Sequence, residues 1–203
     1  MGEIAVRQAG TADLVQVAGT LGQAFADDPV VRWLAAPDEK RYERTGPGAF
    51  AAALRVSYLP KAEVHTTADG NAAVVWVPPD KWKTPVGDTL RLLPAYLRLS
   101  GTRLPRLLKL VTAMEKRHAQ AEEPHWYIPF IGTRPAHQGK GLGSALLAHV
   151  VARADAEGRP AYLEATAPRN QLLYHRHGFE AVDELRVDDC PPLTVMWRPP
   201  RAA

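Results

Sequence analysis

Three glycines, Gly139, Gly141 and Gly143, lie in a short segment between an apolar run and the start of an amphipathic helical pattern. Glycine adopts backbone dihedral angles that other residues avoid, so successive N–H groups can turn toward a single anion. The N-terminus of a helix also favours negative charge through its dipole. The segment therefore predicts a phosphate-binding loop, and the expected ligand is a pyrophosphate.

The spacing of the glycines distinguishes between kinds of phosphate loop. A nucleoside-triphosphate loop needs G-x-x-x-x-G-K followed by Ser or Thr, whereas Lys140 precedes the last two glycines, so that match is poor. A dinucleotide loop, G-x-G-x-x-G, has Leu146 here in place of its third glycine. Glu164 stands at about the distance where that motif has its acidic residue, so the dinucleotide alternative stays open on pattern alone.

What the loop matches is Q-x-x-G-x-G, through Gln138, Gly141 and Gly143. Downstream, residues 162–170 have the composition of a strand and a turn, and residues 173–179 end in Tyr-x-x-x-Gly-Phe. Together these motifs resemble the GNAT superfamily of N-acetyltransferases, in particular its antibiotic-resistance members of the puromycin N-acetyltransferase type. The resemblance covers nearly the whole chain and is strongest after about residue 124.

The resemblance implies an α/β fold with a mixed, mostly antiparallel twisted sheet, flanked by helices, in which the fourth and fifth strands splay apart. It also implies acetyl-CoA as co-substrate. Its pyrophosphate would bind backbone amides of the loop, and its pantetheine arm would bind the backbone of the fourth strand. The residues predicted in this way to bind acetyl-CoA are Ile131, Thr133, Gln138, Gly139, Lys140, Gly141, Leu142, Gly143, Ser144 and Asn170.

Two residues are predicted to be catalytic. By resemblance, Tyr174 protonates the departing coenzyme A thiolate; it follows Asn170 by four residues, so one helical face can present both side chains. A half-buried packing tyrosine is the alternative. Many members of the family that the chain resembles carry a glutamate on the fourth strand, where this sequence has none, so Glu164 on the next strand is the first candidate for the general base, either directly or through water. A structural, hydrogen-bonded glutamate is the alternative there.

Other polar residues are weaker candidates for a role in catalysis, acceptor binding or metal binding. His125 could relay a proton, but a capping or surface histidine is the preferred interpretation. Asp28, after Asp27, would suit a cationic acceptor, although an Asp-Asp-Pro segment also ends a helix. His175 and His177 are two residues apart, so on a helix they point to different sides, and no metal site is predicted.

Composition indicates a single domain over residues 1–203 with a frayed tail from about residue 199. The net charge of +3 without a basic motif interleaved with aromatic residues argues against nucleic-acid binding. Cys190 is the only cysteine, no apolar run approaches membrane-spanning length, and no signal peptide is recognised, so a cytoplasmic protein without a membrane partner is expected. A monomer and a homodimer are both compatible with the sequence.

Periodicity predicts the elements that position these residues. Thr11 is expected to cap the first helix, and Gly46-Pro47-Gly48 to break the second helical stretch in two. Interruptions at Pro94 and within residues 100–105 are expected in the next one. The other predicted elements are strands 4–9, 62–67, 72–77, 126–133, 161–165, 179–187 and 193–197, a turn at Asp69-Gly70, and helices 144–157 and 171–177.

These observations predict an acetyl-CoA-dependent N-acetyltransferase that transfers the acetyl group directly within a ternary complex. By resemblance the acceptor is a small-molecule amine, an antibiotic or a related metabolite. A protein or peptide N-acetyltransferase and a non-catalytic acyl-CoA sensor are the alternatives, because one fold supports many acceptors.

Overall fold

A seven-stranded sheet with the strand order β1-β2-β3-β4-β5-β7-β6 runs through the part of the chain that the computed structural model describes, residues 4–35, 39–121 and 123–201. The strands are β1 (Val6–Gln8), β2 (Glu63–Thr67), β3 (Ala72–Val77), β4 (Trp126–Thr133), β5 (Ala161–Ala165), β6 (Glu180–Leu185) and β7 (Leu193–Arg198). The helices are α1 (Leu14–Ala24), α2 (Pro29–Leu34), α3 (Glu39–Ala53), α4 (Val86–Ser100), α5 (Leu104–His118), α6 (Leu142–Ala156) and α7 (Pro168–Arg176).

All neighbouring strands pair antiparallel except β4 and β5, which run parallel. Their register contains only two pairs, Trp126 with Ala161 and Tyr127 with Tyr162. Beyond Tyr127 the two strands diverge, while each keeps its other neighbour, β3 or β7. The predicted mixed, mostly antiparallel sheet flanked by helices is confirmed.

The β2–β3 hairpin shows how local chemistry sets a turn. Gly70 has a positive φ of 70°, which favours glycine, and the Asp69 carboxylate accepts hydrogen bonds from the Thr67 hydroxyl and the Asn71 backbone N–H. Both strands that flank the turn are largely buried. The predicted turn at Asp69-Gly70 is confirmed.

Helices cover both faces of the sheet. On one face α6 packs against the sheet through a core that includes Trp76, Leu146, Leu147 and Phe179. On the other face α1 and α3 pack over Val75 and Phe130. The candidate site lies between this second helical layer and the splayed strands.

The prediction that α3 breaks at Gly46-Pro47-Gly48 is wrong. The helix continues through Pro47, whose ring lies against Gly22 of α1 so closely that a Cβ at Gly22 would stand 2.9 Å from the ring. The Tyr42 hydroxyl adds a hydrogen bond of 2.9 Å to the Gly22 carbonyl. Packing between the two helices thus offsets the hydrogen bond that a proline removes.

Other helix boundaries also differ from the predictions. The expected interruption at Pro94 is wrong, because α4 continues to Ser100 with Leu92 and Leu99 buried. The expected break after it is confirmed as a short 3₁₀ turn, with Gly101 at a φ of 55°. Thr11 does not cap α1; it begins a 3₁₀ turn in which Asp13 accepts the Gly10 N–H at 3.0 Å.

The end of the chain docks on α6. Arg198 forms a double hydrogen bond of 2.7 Å to both Asp155 oxygens, and the Arg201 backbone N–H donates to the same carboxylate. Residues 202 and 203 of the predicted tail lie outside the described residues. Within the described part of the chain, no helix has the length and apolar content needed to cross a bilayer.

Candidate active site

The gap between β4 and β5 exposes one edge of β4. The Arg134 N–H donates to the Asn71 carbonyl at 2.9 Å, so the backbone polar groups of Arg134 face β3. In an antiparallel pair such groups alternate along a strand, so those of Gly132 also face β3 and those of Ile131 and Thr133 face the gap. The two β4 residues predicted to bind the pantetheine arm therefore present their backbone groups to the open edge.

A bulge in β4 changes which side chains leave the strand together. Val75 pairs with Phe130 and Val77 with Tyr127, so two β4 residues lie opposite one residue of β3. Pro129 is one of these two residues; it has no N–H to pair, which suits a bulge. As a result Tyr127, Pro129 and Phe130 all line one cavity, whereas Ile128 enters the core on the opposite face.

The predicted phosphate loop has the required backbone conformation. Gly139 and Gly141 have φ values of 76° and 84°, in the left-handed region, and Gly141 is the N-cap of α6. The first hydrogen bond of the helix runs from the Ala145 N–H to the Gly141 carbonyl at 3.0 Å. The N–H groups of the three residues before Ala145 have no acceptor within the helix, because every helix N-terminus leaves its first donors unpaired.

The loop is held against β4 and α7. The Gln138 amide donates to the Thr133 carbonyl at 3.3 Å, and a Cβ at Gly143 would lie 3.6 Å from the Thr133 hydroxyl and 3.5 Å from Leu173. Ser144 is hydrogen-bonded to His177 at 2.7 Å. The structure thus brings the predicted loop residues together with the end of β4 and with α7.

Asn170 and Tyr174 both lie on α7, which begins at Pro168, earlier than predicted, because proline fits the first turn of a helix. Tyr174 is 6 % exposed, and its ring lies edge-on to Phe179 with 6.2 Å between centroids. Burial, and after it the charge of Asp28, raise the pKa of Tyr174 above its ordinary value. The phenol thus stays protonated near neutral pH.

A cavity of about 240 Å³ lies between the open face of β4 and the helices α2 to α5. Four aromatic rings form a cluster on its wall, with centroid distances of 5.2 Å for Phe50–Phe130, 5.4 Å for Phe25–Phe50 and 5.5 Å for Tyr58–Phe130. Aliphatic side chains complete much of the wall. The remaining lining residues are Val30, Val31, Leu34, Tyr42, Gly46, Ala49, Ala53, Trp82, Thr84, Tyr96, Leu99, Leu107, Leu110, Val111, Met114, Glu115, His118, Tyr127, Pro129, Glu164, Thr166 and Leu193.

Glu164 lines this cavity from β5, in the part of the strand that no longer pairs with β4. The Tyr162 hydroxyl donates to the Glu164 carboxylate at 2.9 Å, and Tyr127 is a second hydrogen-bonding partner. Burial raises the pKa of Glu164 to about 7, against the opposing effect of these hydrogen bonds. A carboxyl with this pKa can accept a proton at neutral pH.

Two polar residues on α5, Glu115 and His118, also reach the cavity, and the sequence-based predictions missed both. They follow Leu107, Val111 and Met114 at helical spacing, so they interrupt an apolar stripe of one helix face. That interruption is the signal that could have identified them.

His118 and His125 form a buried pair with 2.7 Å between their Nε2 atoms, and His125 Nδ1 lies 2.6 Å from the Glu123 carbonyl. His118 also stacks on Trp82 with 4.1 Å between centroids. The expectation of a surface position for His125 is wrong, because the ring packs among Tyr162 and Trp197. Burial lowers the pKa of both histidines, so the pair is neutral at pH 7.

Asp28 is outside the cavity lining. Its carboxylate is the N-cap of α2: one oxygen accepts the N–H groups of Val30 and Val31 at 3.0 Å, and the other accepts the Thr166 hydroxyl. Both oxygens are thus occupied by the fold, as expected for a helix cap. These contacts favour the structural alternative for Asp28, a helix cap rather than a site for the acceptor.

Comparison with known proteins adds independent information. The model of the acetyltransferase (GNAT) family matches residues 108–179, which run from within α5 to the residue before β6. An uncharacterized N-acetyltransferase of Schizosaccharomyces pombe is 24% identical over 208 residues, which cover 97% of this chain and 84% of that protein.

Two solved structures extend the comparison. The first, from Corynebacterium glutamicum, is named histone acetyltransferase HPA2 and related acetyltransferase. It has a TM-score of 0.71 and is 27% identical in sequence, and the match covers 100% of this chain and 99% of that chain. Arylalkylamine N-acetyltransferase 2 from Aedes aegypti has a TM-score of 0.66 at 16% identity, with 98% of this chain and 100% of its own covered. At that identity the second likeness shows a shared fold alone.

Proposed function

We propose that this protein is a GNAT N-acetyltransferase that transfers the acetyl group of acetyl-CoA to the amine of a small molecule with an apolar body, a proposal that the family model and the relatives above support. The observation that carries the proposal is the cavity lined by aromatic and aliphatic side chains, with Glu164 on its wall beside the open edge of β4. Such a cavity suits a small ligand that buries an apolar surface and presents one polar group.

The phosphate loop and β4 are suited to bind acetyl-CoA. The N–H groups at the start of α6 would bind the pyrophosphate, and the backbone of Ile131 and Thr133 would pair with the pantetheine amides, as an added strand does. Asn170 on α7 would steady the same arm. The proposal is supported by the start of α6, which lies against Thr133 of β4 and Leu173 of α7 and so can direct the thioester toward the gap.

In the proposed acetyl transfer, Glu164 acts as the general base and Tyr174 as the general acid. Glu164 takes a proton from the bound ammonium and leaves a neutral amine, whose nitrogen attacks the thioester carbonyl. A C–N bond forms, the C–S bond breaks, and Tyr174 gives its proton to the departing thiolate. The nitrogen passes its second proton, through water, to the Tyr174 phenolate, and Glu164 releases the first proton to solvent as the products leave. Because the amine attacks the thioester itself, both substrates are bound together and no acetyl group is attached to the protein.

The acceptor class includes antibiotics and related metabolites that carry an amine and an apolar body. The relatives named above do not identify an antibiotic as acceptor, so this narrower class rests on the motifs of the loop and of α7. The name of the C. glutamicum structure instead favours a protein acceptor, which is the second candidate function.

Release of coenzyme A thiol from acetyl-CoA, measured with a panel of amines, tests the proposal. The panel contains phenethylamine, puromycin, an aminoglycoside, spermidine and lysine-containing peptides. We expect turnover on at least one small amine, and we expect Tyr174→Phe to lower kcat about 100-fold, because a general acid contributes at least that much. Turnover on peptides alone would instead support the protein acceptor.

The Tyr174→Phe variant also needs a control for binding. Its affinity for acetyl-CoA, measured by titration calorimetry, should stay close to that of the wild type, because the hydroxyl acts on the departing sulfur. Unchanged kcat over the whole pH range would contradict the role of Tyr174 as acid.

A further inference from the structure

A second carboxylate, that of Glu115, borders the cavity from α5, and the chemistry proposed above makes no use of it. Glu115 lies three residues before His118, which lines the same cavity, so the two side chains come from one face of the helix. The following inference depends on the proposed function, since it concerns what the acceptor carries besides its reacting amine.

The titratable groups around Glu115 come from several elements. Tyr58, Tyr96 and Glu164 line the same cavity from the turn after α3, from α4 and from β5. Glu115 and Glu164 both act electrostatically on the Tyr58 hydroxyl, which places this phenol within range of both carboxylates. The two carboxylates therefore border one continuous space from different walls.

Lys61 is a cation whose charge acts on Glu115, but its ammonium group is hydrogen-bonded elsewhere. Lys61 Nζ donates to the Lys83 carbonyl at 2.7 Å, and its charge acts on Glu115 only through space. Within the described ranges 4–35, 39–121 and 123–201, no side chain forms an ion pair with Glu115. Among the described residues, Glu115 is thus a carboxylate without an ion-pair partner, beside a wall that is mostly apolar and aromatic.

A carboxylate in such surroundings is stabilised when a cation occupies the space next to it, because neighbouring apolar groups replace part of its water. The faces of the Tyr58 and Tyr96 rings would add a favourable cation–π attraction. We propose that the acceptor carries a second positively charged group, which Glu115 binds while Glu164 takes the proton from the reacting amine. The substrate class is then a small diamine, or an amine with a comparable cation, joined by an apolar spacer.

A matched pair of acceptors tests this assignment. 1,4-Bis(aminomethyl)benzene and 4-methylbenzylamine share the reacting benzylic amine and differ in the second ammonium group. We expect the wild type to prefer the diamine in kcat/KM, and Glu115→Gln to lower the ratio of diamine to monoamine about 10-fold or more, because a hydrogen bond to a charged group has about this value. The loss should appear mainly in KM, since the contact is the same before and during the reaction.

Glu180→Gln is the control variant. It removes the same charge from an exposed position on β6, so it should leave the ratio as in the wild type. A wild type that prefers the monoamine, or treats both amines alike, overturns the inference without any variant. An unchanged ratio in a folded Glu115→Gln protein also overturns it. Failure of the proposed function is distinct: the wild type would then acetylate neither acceptor.

Discussion

At Glu164 two physical effects act on one carboxyl in opposite directions. Burial disfavours the charged form, whereas the hydrogen bonds from Tyr162 and Tyr127 favour it, and burial is the larger effect. The resulting pKa of about 7 lies where a general base works best at neutral pH. In the proposed reaction, the Tyr162 hydroxyl orients the Glu164 carboxylate, which receives the proton.

This pKa predicts the pH dependence of the reaction. We expect kcat/KM to rise as the pH increases through about 7, because only the deprotonated Glu164 can take a proton. Glu164→Gln should lower kcat about 100-fold or more and remove this limb of the profile. Initial rates between pH 5.5 and pH 9 for both proteins provide the measurement. A Gln variant that keeps the same limb would assign the titration to another group.

At the scale of the elements, the contact between α1 and α3 holds in place the helix α3, which supplies part of the cavity wall. Gly22 of α1 faces Pro47 of α3 with no space for a side chain, whereas Gly48 of α3 has open space around its Cα. The same residue type therefore has a packing role at one position and none at the other. The Pro47 ring and the small Gly22 act together, because each makes room for the other.

Gly22→Ala should destabilise the protein by about 1–3 kcal/mol, since the added methyl group would meet the Pro47 ring and backbone at 2.9 to 3.1 Å. Gly48→Ala is the matched control and should stabilise it by about 0.5–1 kcal/mol, because alanine is the better helix former. Urea unfolding followed by circular dichroism measures both. Equal stability of the two variants would contradict this account of the α1–α3 contact.

For the whole molecule, a carboxyl whose pKa is raised by folding makes stability depend on pH. Glu164 titrates near 4.5 in the unfolded chain and near 7 in the folded protein, so the folded state binds more protons between these values. The stability that this group contributes is fully present below pH 4.5 and is lost as the pH rises through 7. Burial of the Glu164 carboxyl therefore makes the folded protein less stable as the pH rises through 7.

Glu164→Gln should consequently be more stable than the wild type above pH 7, by up to about 3 kcal/mol, and the difference should shrink as the pH falls toward 4.5. The glutamine can still accept the hydrogen bond from Tyr162. Thermal unfolding of both proteins at pH 5 and pH 8 tests this expectation. A difference that is the same at both pH values would mean that folding does not raise this pKa.

The sequence by itself determined the elements whose signals are local. Strands β4 and β5 lie where their apolar runs predict them, at Trp126–Thr133 and Ala161–Ala165. Gly139 and Gly141 of the predicted phosphate loop lie in the left-handed conformation, and Asp69-Gly70 forms the predicted turn. A turn or a helix start depends on dihedral angles and hydrogen bonds of adjacent residues, and those preferences belong to the residue types themselves.

Only the tertiary structure decided what depends on residues far apart in the chain. Pro47 continues a helix because Gly22 packs against it, and Asp28 caps α2 while it accepts a hydrogen bond from Thr166. Glu115 and Glu164 are 49 positions apart in the sequence, yet they border one cavity. Such outcomes follow from the volume, burial and charge of neighbours that the chain brings together only on folding, so no local pattern could predict them.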